Sequence, residues 1–260
     1  LIPQDGQDIL KNNYIIEQIE KFGNETQLIL ISAVNYYNGQ YYDIEAISKK
    51  AKEYNCIVGL DLAHAAGNVK LFLHDWDIDF AIWCGYKYLN GGPGAPGSAF
   101  IHKKHLKNTS IKRLEGWWGH DKGSRFDLLN KFVSSKTAES WQLSNPPILS
   151  MAALWSSLNI FEKVGMDSIT LKSIKLTSYL YTLLANVDNI DILTPREQDK
   201  RGAQLSIRLK NFDKKTYNAL IQNGYICDYR APDVLRIAPA PLYNSFEDVF
   251  NFSQFLNSLI

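Results

Sequence analysis

Three short apolar runs punctuate the first third of the chain, at residues 28–34 (LILISAV), 56–60 (CIVGL) and 80–84 (FAIWC). Runs of this length between polar segments read as buried strands. Residues 44–54 place Ile44, Ile47 and Ala51 on one helical face behind Asp43, whose carboxylate can cap the first turn. Strands separated by crossovers predict a parallel α/β sheet. Gly91-Gly92-Pro93-Gly94 forms a turn, and residues 98–101 read as a returning, antiparallel strand.

From Pro147 the pattern changes. Residues 148–164 are apolar around much of a helical circumference, so burial is expected. Residues 168–187 are amphipathic, with Ile169, Leu176, Leu180 and Leu183 at helical spacing. A smaller α+β unit follows: residues 204–209 alternate as a half-buried strand does, 213–223 read as a helix and 234–237 as a short strand. Ser245 caps a terminal helix whose apolar faces come from Val249, Phe250, Leu256 and Leu259. Gly165 divides the chain into a large α/β domain, residues 1–165, and a small α+β domain, residues 166–260.

Composition excludes several classes. A net charge of +1 over 260 residues supplies no field for nucleic acid or an anionic membrane surface. The uncharged stretch 140–161 carries several Ser and Pro146-Pro147, so it reads as a loop and helix, not a membrane span. Cys56, Cys84 and Cys227 have neither metal-ligand nor disulfide spacing, which fits a reducing cytoplasm, and the five histidines show no metal spacing. The glycines of residues 91–97 match neither the dinucleotide nor the nucleotide-phosphate fingerprint.

Two of the runs end on reactive residues. Asp61 closes the second, in Gly59-Leu60-Asp61-Leu62-Ala63-His64, and Lys87 follows the third 26 residues later, in Trp83-Cys84-Gly85-Tyr86-Lys87-Tyr88. Strand ends are where open α/β sheets bind ligands. Taken singly, a lysine past a strand ordinarily lies in solvent. Asp61 could simply cap its turn, and His64 could be a buried, hydrogen-bonded histidine. As a pair, the amine and carboxylate are what pyridoxal 5′-phosphate (PLP) chemistry requires. Lysine forms the Schiff base, and the carboxylate keeps the pyridine nitrogen protonated so that the ring accepts electrons. Arg236 lies in the apolar run Val234-Leu235-Arg236-Ile237 and needs an anion, either an internal carboxylate or a bound one.

The strings Gly59–Asn68, Asp75–Cys84 and Tyr86-Lys87-Tyr88-Leu89-Asn90 resemble kynureninases, which are fold-type I PLP enzymes. The resemblance extends to Gly116-Trp117-Trp118-Gly119-His120, Ser144-Asn145-Pro146-Pro147 and the segment Arg236–Ser245. It implies that Lys87 is the Schiff-base lysine, Asp61 the partner of the pyridinium nitrogen, and His64 its neighbour near the ring. It implies cofactor-pocket roles for Ser32, Tyr86 and Trp117, with Tyr86 also assisting proton transfer. Asn145 would lie near cofactor and substrate ring, and Arg236 would grip the substrate α-carboxylate. By their residue types alone, Trp117 and Trp118 would be core or interface aromatics, and Asn145 a turn initiator before Pro146.

The implied activity is hydrolysis of L-kynurenine or 3-hydroxy-L-kynurenine to anthranilate or 3-hydroxyanthranilate and L-alanine, by a homodimer, within tryptophan catabolism and NAD biosynthesis. A cysteine desulfurase of the same fold is the alternative enzyme. Those usually place a histidine directly before the lysine, where Tyr86 stands, and need a cysteine on a mobile loop. A non-catalytic fragment is the alternative of another class. The family carries a further N-terminal segment with a phosphate-binding loop, a ring-stacking aromatic and an acidic residue, so the chain is expected to be a fragment.

Overall fold

The structure, a computed structural model, describes residues 1–3, 7–108, 110–210 and 212–260. Strands β1 (Leu28–Ser32), β2 (Ile57–Asp61), β3 (Phe80–Cys84) and β4 (Gly97–Ile101) form one sheet in that order. The first three are parallel and β4 returns antiparallel, as the crossover lengths and the glycine turn predict. The register sets Ser32 opposite Asp61, and Asp61 opposite Ile82, so the reactive residues share one sheet edge.

Helix α1 (Asn12–Phe22), which the sequence reading does not include, packs Ile15 and Ile19 with Ile44 and Ile47 of α2 (Ile44–Glu53). Asp43 caps α2 as expected, its side chain accepting from the Ala46 N–H. Beyond β4 come the single-turn α3 (Lys103–Leu106) and then α4 (Ile148–Val164), α5 (Met166–Leu184), α6 (Lys214–Gln222) and α7 (Phe246–Leu259). Asp79, at the mouth of β3, holds this face together. It accepts from the Val58 N–H and pairs with Lys52, Lys104 and His105.

The second sheet is antiparallel, in the order β5 (Ile190–Ile192), β6 (Leu205–Leu209), β8 (Val234–Ile237), β7 (Asp228–Arg230). Helices α5, α6 and α7 cover it with Leu176, Leu180, Leu220 and Leu256. Ser245 and Asp248 form a reciprocal capping box at the start of α7. Phe252, rather than the expected Phe250, turns into the core.

The expectation for residues 148–164 is corrected. The helix has the expected bounds, yet only Leu154, Ser157 and Phe161 are buried, while Leu149 is 90% exposed and Trp155 68% exposed. A helix apolar on all sides offers this chain one stripe, and the remainder faces outward.

The two sheets meet through the loop after β1. Thr194, Gln204 and Ser206 donate to the backbone carbonyls of Asn38, Tyr36 and Tyr37. Asn68 accepts from the Ala203 N–H at 2.8 Å, and Gly202 lies so close that a Cβ there would stand 2.4 Å from the Asn68 amide nitrogen.

Candidate active site

A cavity of about 480 Å³ opens between the strand ends of the first sheet and strand β8 of the second. Ser32, Asp61, His64 and Lys87 enter it from one side, and Arg230 and Arg236 from the other. Asp61 closes β2 and caps its own turn, one carboxylate oxygen accepting from the Ala63 N–H at 2.8 Å. Its other oxygen has no hydrogen-bond partner among the described residues, so capping and ligand binding are compatible.

Lys87 sits in the turn after β3, with its Nζ 3.2 Å from His64 Nε2. The two turns touch because Gly67 adopts φ +79°, and a Cβ there would stand 2.8 Å from the Tyr88 carbonyl oxygen. Only glycine satisfies both demands. Burial, reinforced by the charges of Lys87 and Arg236, pushes the His64 imidazole down to about 4, so it is neutral at pH 7. The other ring nitrogen, Nδ1, is buried and has no partner among the described residues. The Tyr88 ring meets His64 edge-on at 5.9 Å, and burial raises its hydroxyl to about 12.

Arg236 is anchored within the chain. Its Nε donates to Asp228 Oδ2 at 2.6 Å, its Nη2 pairs with the same oxygen, and its Nη1 donates to the Tyr36 carbonyl at 2.7 Å. Arg230 Nε approaches that oxygen at 3.1 Å. Of the two anions open to Arg236 from sequence, an internal carboxylate is therefore present. Sequence reasoning allowed an internal carboxylate but did not single out Asp228, which the β7–β8 hairpin register pairs with Arg236 directly. The alternation Asp228-Tyr229-Arg230 before a Pro232 turn was the available signal.

The cavity gathers Ser32, Asp61, His64, Lys87 and Arg236, but not Tyr86, Trp117 or Asn145. Tyr86, although it precedes Lys87, is 53% exposed and does not line the cavity. The Trp117 indole donates to the Arg125 carbonyl at 3.1 Å and is otherwise half open to solvent. Asn145 lies exposed in the loop leading into α4. Trp118 instead stacks under the Arg125 guanidinium, 4.4 Å from its ring centre.

Solved structures with this fold include an apo cysteine desulfurase from Thermococcus onnurineus NA1. It matches with TM-score 0.80 and 19% identity, over 98% of this chain and 65% of that one. An alanine–glyoxylate aminotransferase from Nostoc sp. matches with TM-score 0.74 and 17% identity, over 99% and 67%. These place the chain in the fold-type I class. By sequence, residues 169–256 match the family model for the kynureninase C-terminal domain. The kynureninase of Myxococcus xanthus is 48% identical over 97% of this chain, and that of Mus musculus 42% identical over 99%. The chain spans 60% of the first relative's length and 58% of the second's. By these matches the chain is similar to the kynureninases over nearly its whole length, while spanning about three fifths of theirs.

Proposed function

We propose that the cavity binds PLP and serves the hydrolysis of L-kynurenine or its 3-hydroxy form to anthranilate or 3-hydroxyanthranilate and L-alanine. The observation that carries this is the convergence of Lys87, Asp61 and His64 on one cavity with the guanidinium of Arg236 facing them. The residues suit the group: one amine, one carboxylate oxygen without a partner, and an orphaned imidazole nitrogen, in a space of cofactor size. When bound, the cofactor supplies an electron sink for bonds broken at the substrate's α- and β-carbons.

The chain's own residues do the rest. Lys87 would hold the cofactor's aldehyde carbon and, once released, carry a proton on Nζ to and from the substrate α-carbon. Asp61 would face the pyridine nitrogen through its free oxygen. Neutral His64 would sit beside the Lys87 Nζ without adding a second positive charge. Arg236 would bind the α-carboxylate in a fork. Tyr86, Trp117 and Asn145 keep the roles the family implies only if a second copy or a rearrangement brings a cofactor against them.

A homodimer is part of the proposal, because the open face of α4 with Ile148, Leu149 and Trp155 is an apolar patch that a second copy would cover. Two separate apolar clusters, one on each sheet, support dividing the chain at residue 165. Among the described residues no helix is long and apolar enough to cross a membrane, and the three unpaired cysteines fit a cytoplasmic enzyme. The desulfurase alternative fits poorly. No cysteine lines the cavity, and burial pushes the Cys227 thiol up to about 11, away from reactivity.

Borohydride reduction of the PLP-loaded protein, followed by peptide mapping, tests the assignment. The pyridoxyl label is expected on Lys87 alone, alongside kynurenine hydrolysis. Label on another lysine would overturn it.

A further inference from the structure

Arg236 carries five N–H donors, and two of them donate within the chain. Asp228 accepts from Nε and lies against Nη2 along one edge, and the Tyr36 carbonyl accepts from Nη1. Each Nη nitrogen therefore keeps at least one N–H for a ligand. Donors on both Nη nitrogens are what a carboxylate can accept from a guanidinium. Arg236 is only 12% exposed, and it lines the cavity facing Lys87. Asp228 stands directly opposite it in the β7–β8 ladder, where cross-strand side chains lie side by side. Arg230 approaches the same Asp228 oxygen at 3.1 Å, so that oxygen lies between two guanidiniums.

We propose that Asp228 is a positioning residue: it clamps the side edge of Arg236 so that the tip is aimed at the α-carboxylate of an amino-acid ligand. This rests on the reading of Arg236 given above. Without the clamp the guanidinium keeps only the Tyr36 carbonyl and can rotate, and its charge is spread over several poses. The opposite possibility is that Asp228 competes with the ligand for Arg236. That predicts tighter carboxylate binding when Asp228 is neutralised, so the two are separable.

The test measures Kd of the PLP-loaded protein for L-alanine and for L-alaninamide, which lacks the carboxylate, by titration calorimetry. The native protein is expected to prefer L-alanine. Asp228→Asn is expected to lower that preference about tenfold, the size of a lost charge-assisted hydrogen bond. Asp228→Glu, which keeps the charge, is expected to lose less. In an Arg236→Gln background, Asp228→Asn is expected to have no further effect, which a merely structural role would not produce. With substrate, KM is expected to rise more than kcat falls. An unchanged or increased preference in Asp228→Asn overturns the proposal, as does a loss that persists without Arg236. If Asp228→Asn does not fold, Asp228→Ser decides: an unchanged or greater preference overturns it. No preference in the native protein would instead overturn the reading of Arg236 itself.

Discussion

Lys87 and His64 show how a residue's neighbours decide its chemistry. An imidazole 3.2 Å from an ammonium cannot hold a second positive charge cheaply, and burial adds to the cost. The folded protein therefore refuses a proton on His64 until about pH 4, whereas the unfolded chain accepts one near 6.5. Between those values the unfolded state binds more protons, so stability should fall as pH drops through this window and level off above it. Chemical denaturation at several pH values is expected to show this slope in the native protein and a shallower one in His64→Gln. At the same scale, Arg236→Lys should keep the fold but lower kcat/KM for kynurenine by about ten- to a hundredfold, since one ammonium cannot serve Asp228, Tyr36 and a ligand together. An unchanged kcat/KM would mean that Asp228 is its only functional partner. The residue types at these positions can be read without coordinates. Asp228, opposite Arg236, requires the hairpin register.

The elements follow from local rules wherever those rules are local. Asp43, Asp213 and Ser245 cap α2, α6 and α7 because each carboxylate or hydroxyl reaches an N–H within three residues. Strands β3 and β8 have the bounds their apolar runs predict, Phe80–Cys84 and Val234–Ile237. The three-residue strands β5 and β7 escape sequence reasoning because such short segments carry no periodicity of their own; they exist as partners of β6 and β8. Helix α1 escapes for a different reason: its start at Lys11 has no side-chain cap. Gly67 links the turns that follow β2 and β3. Gly67→Ala should cost at least about 2 kcal/mol for the left-handed backbone and the crowded Tyr88 carbonyl. In a chain of this size that lowers Tm by roughly 4–8 °C. PLP affinity should weaken with it, because the Lys87–His64 contact depends on the same approach. An absorbance titration and a thermal melt check both effects, and a variant with native Tm would show that the turn can relax.

At the scale of the molecule, a helix with the expected bounds has an unexpected environment. Helix α4 turns Leu149 and Trp155 to the outside, next to a loop in which Asn145 is also exposed. Light scattering should report a dimer for the native protein, and Trp155→Glu should shift it toward monomer with little change in secondary structure. A native monomer would remove the second copy from the proposal. The sequence by itself determined the parallel sheet, the caps and the reactive residues at the strand ends, since these depend on periodicity and on contacts a few positions apart. Only the tertiary structure decided which face of α4 is covered. It also decided that Tyr86, Trp117 and Asn145 stand outside the cavity that holds Lys87. The same is true of Arg236, whose fork is anchored to the Tyr36 carbonyl 200 residues away. Such contacts depend on how two sheets pack against each other, and apolar patterning states only that each sheet has a face to bury.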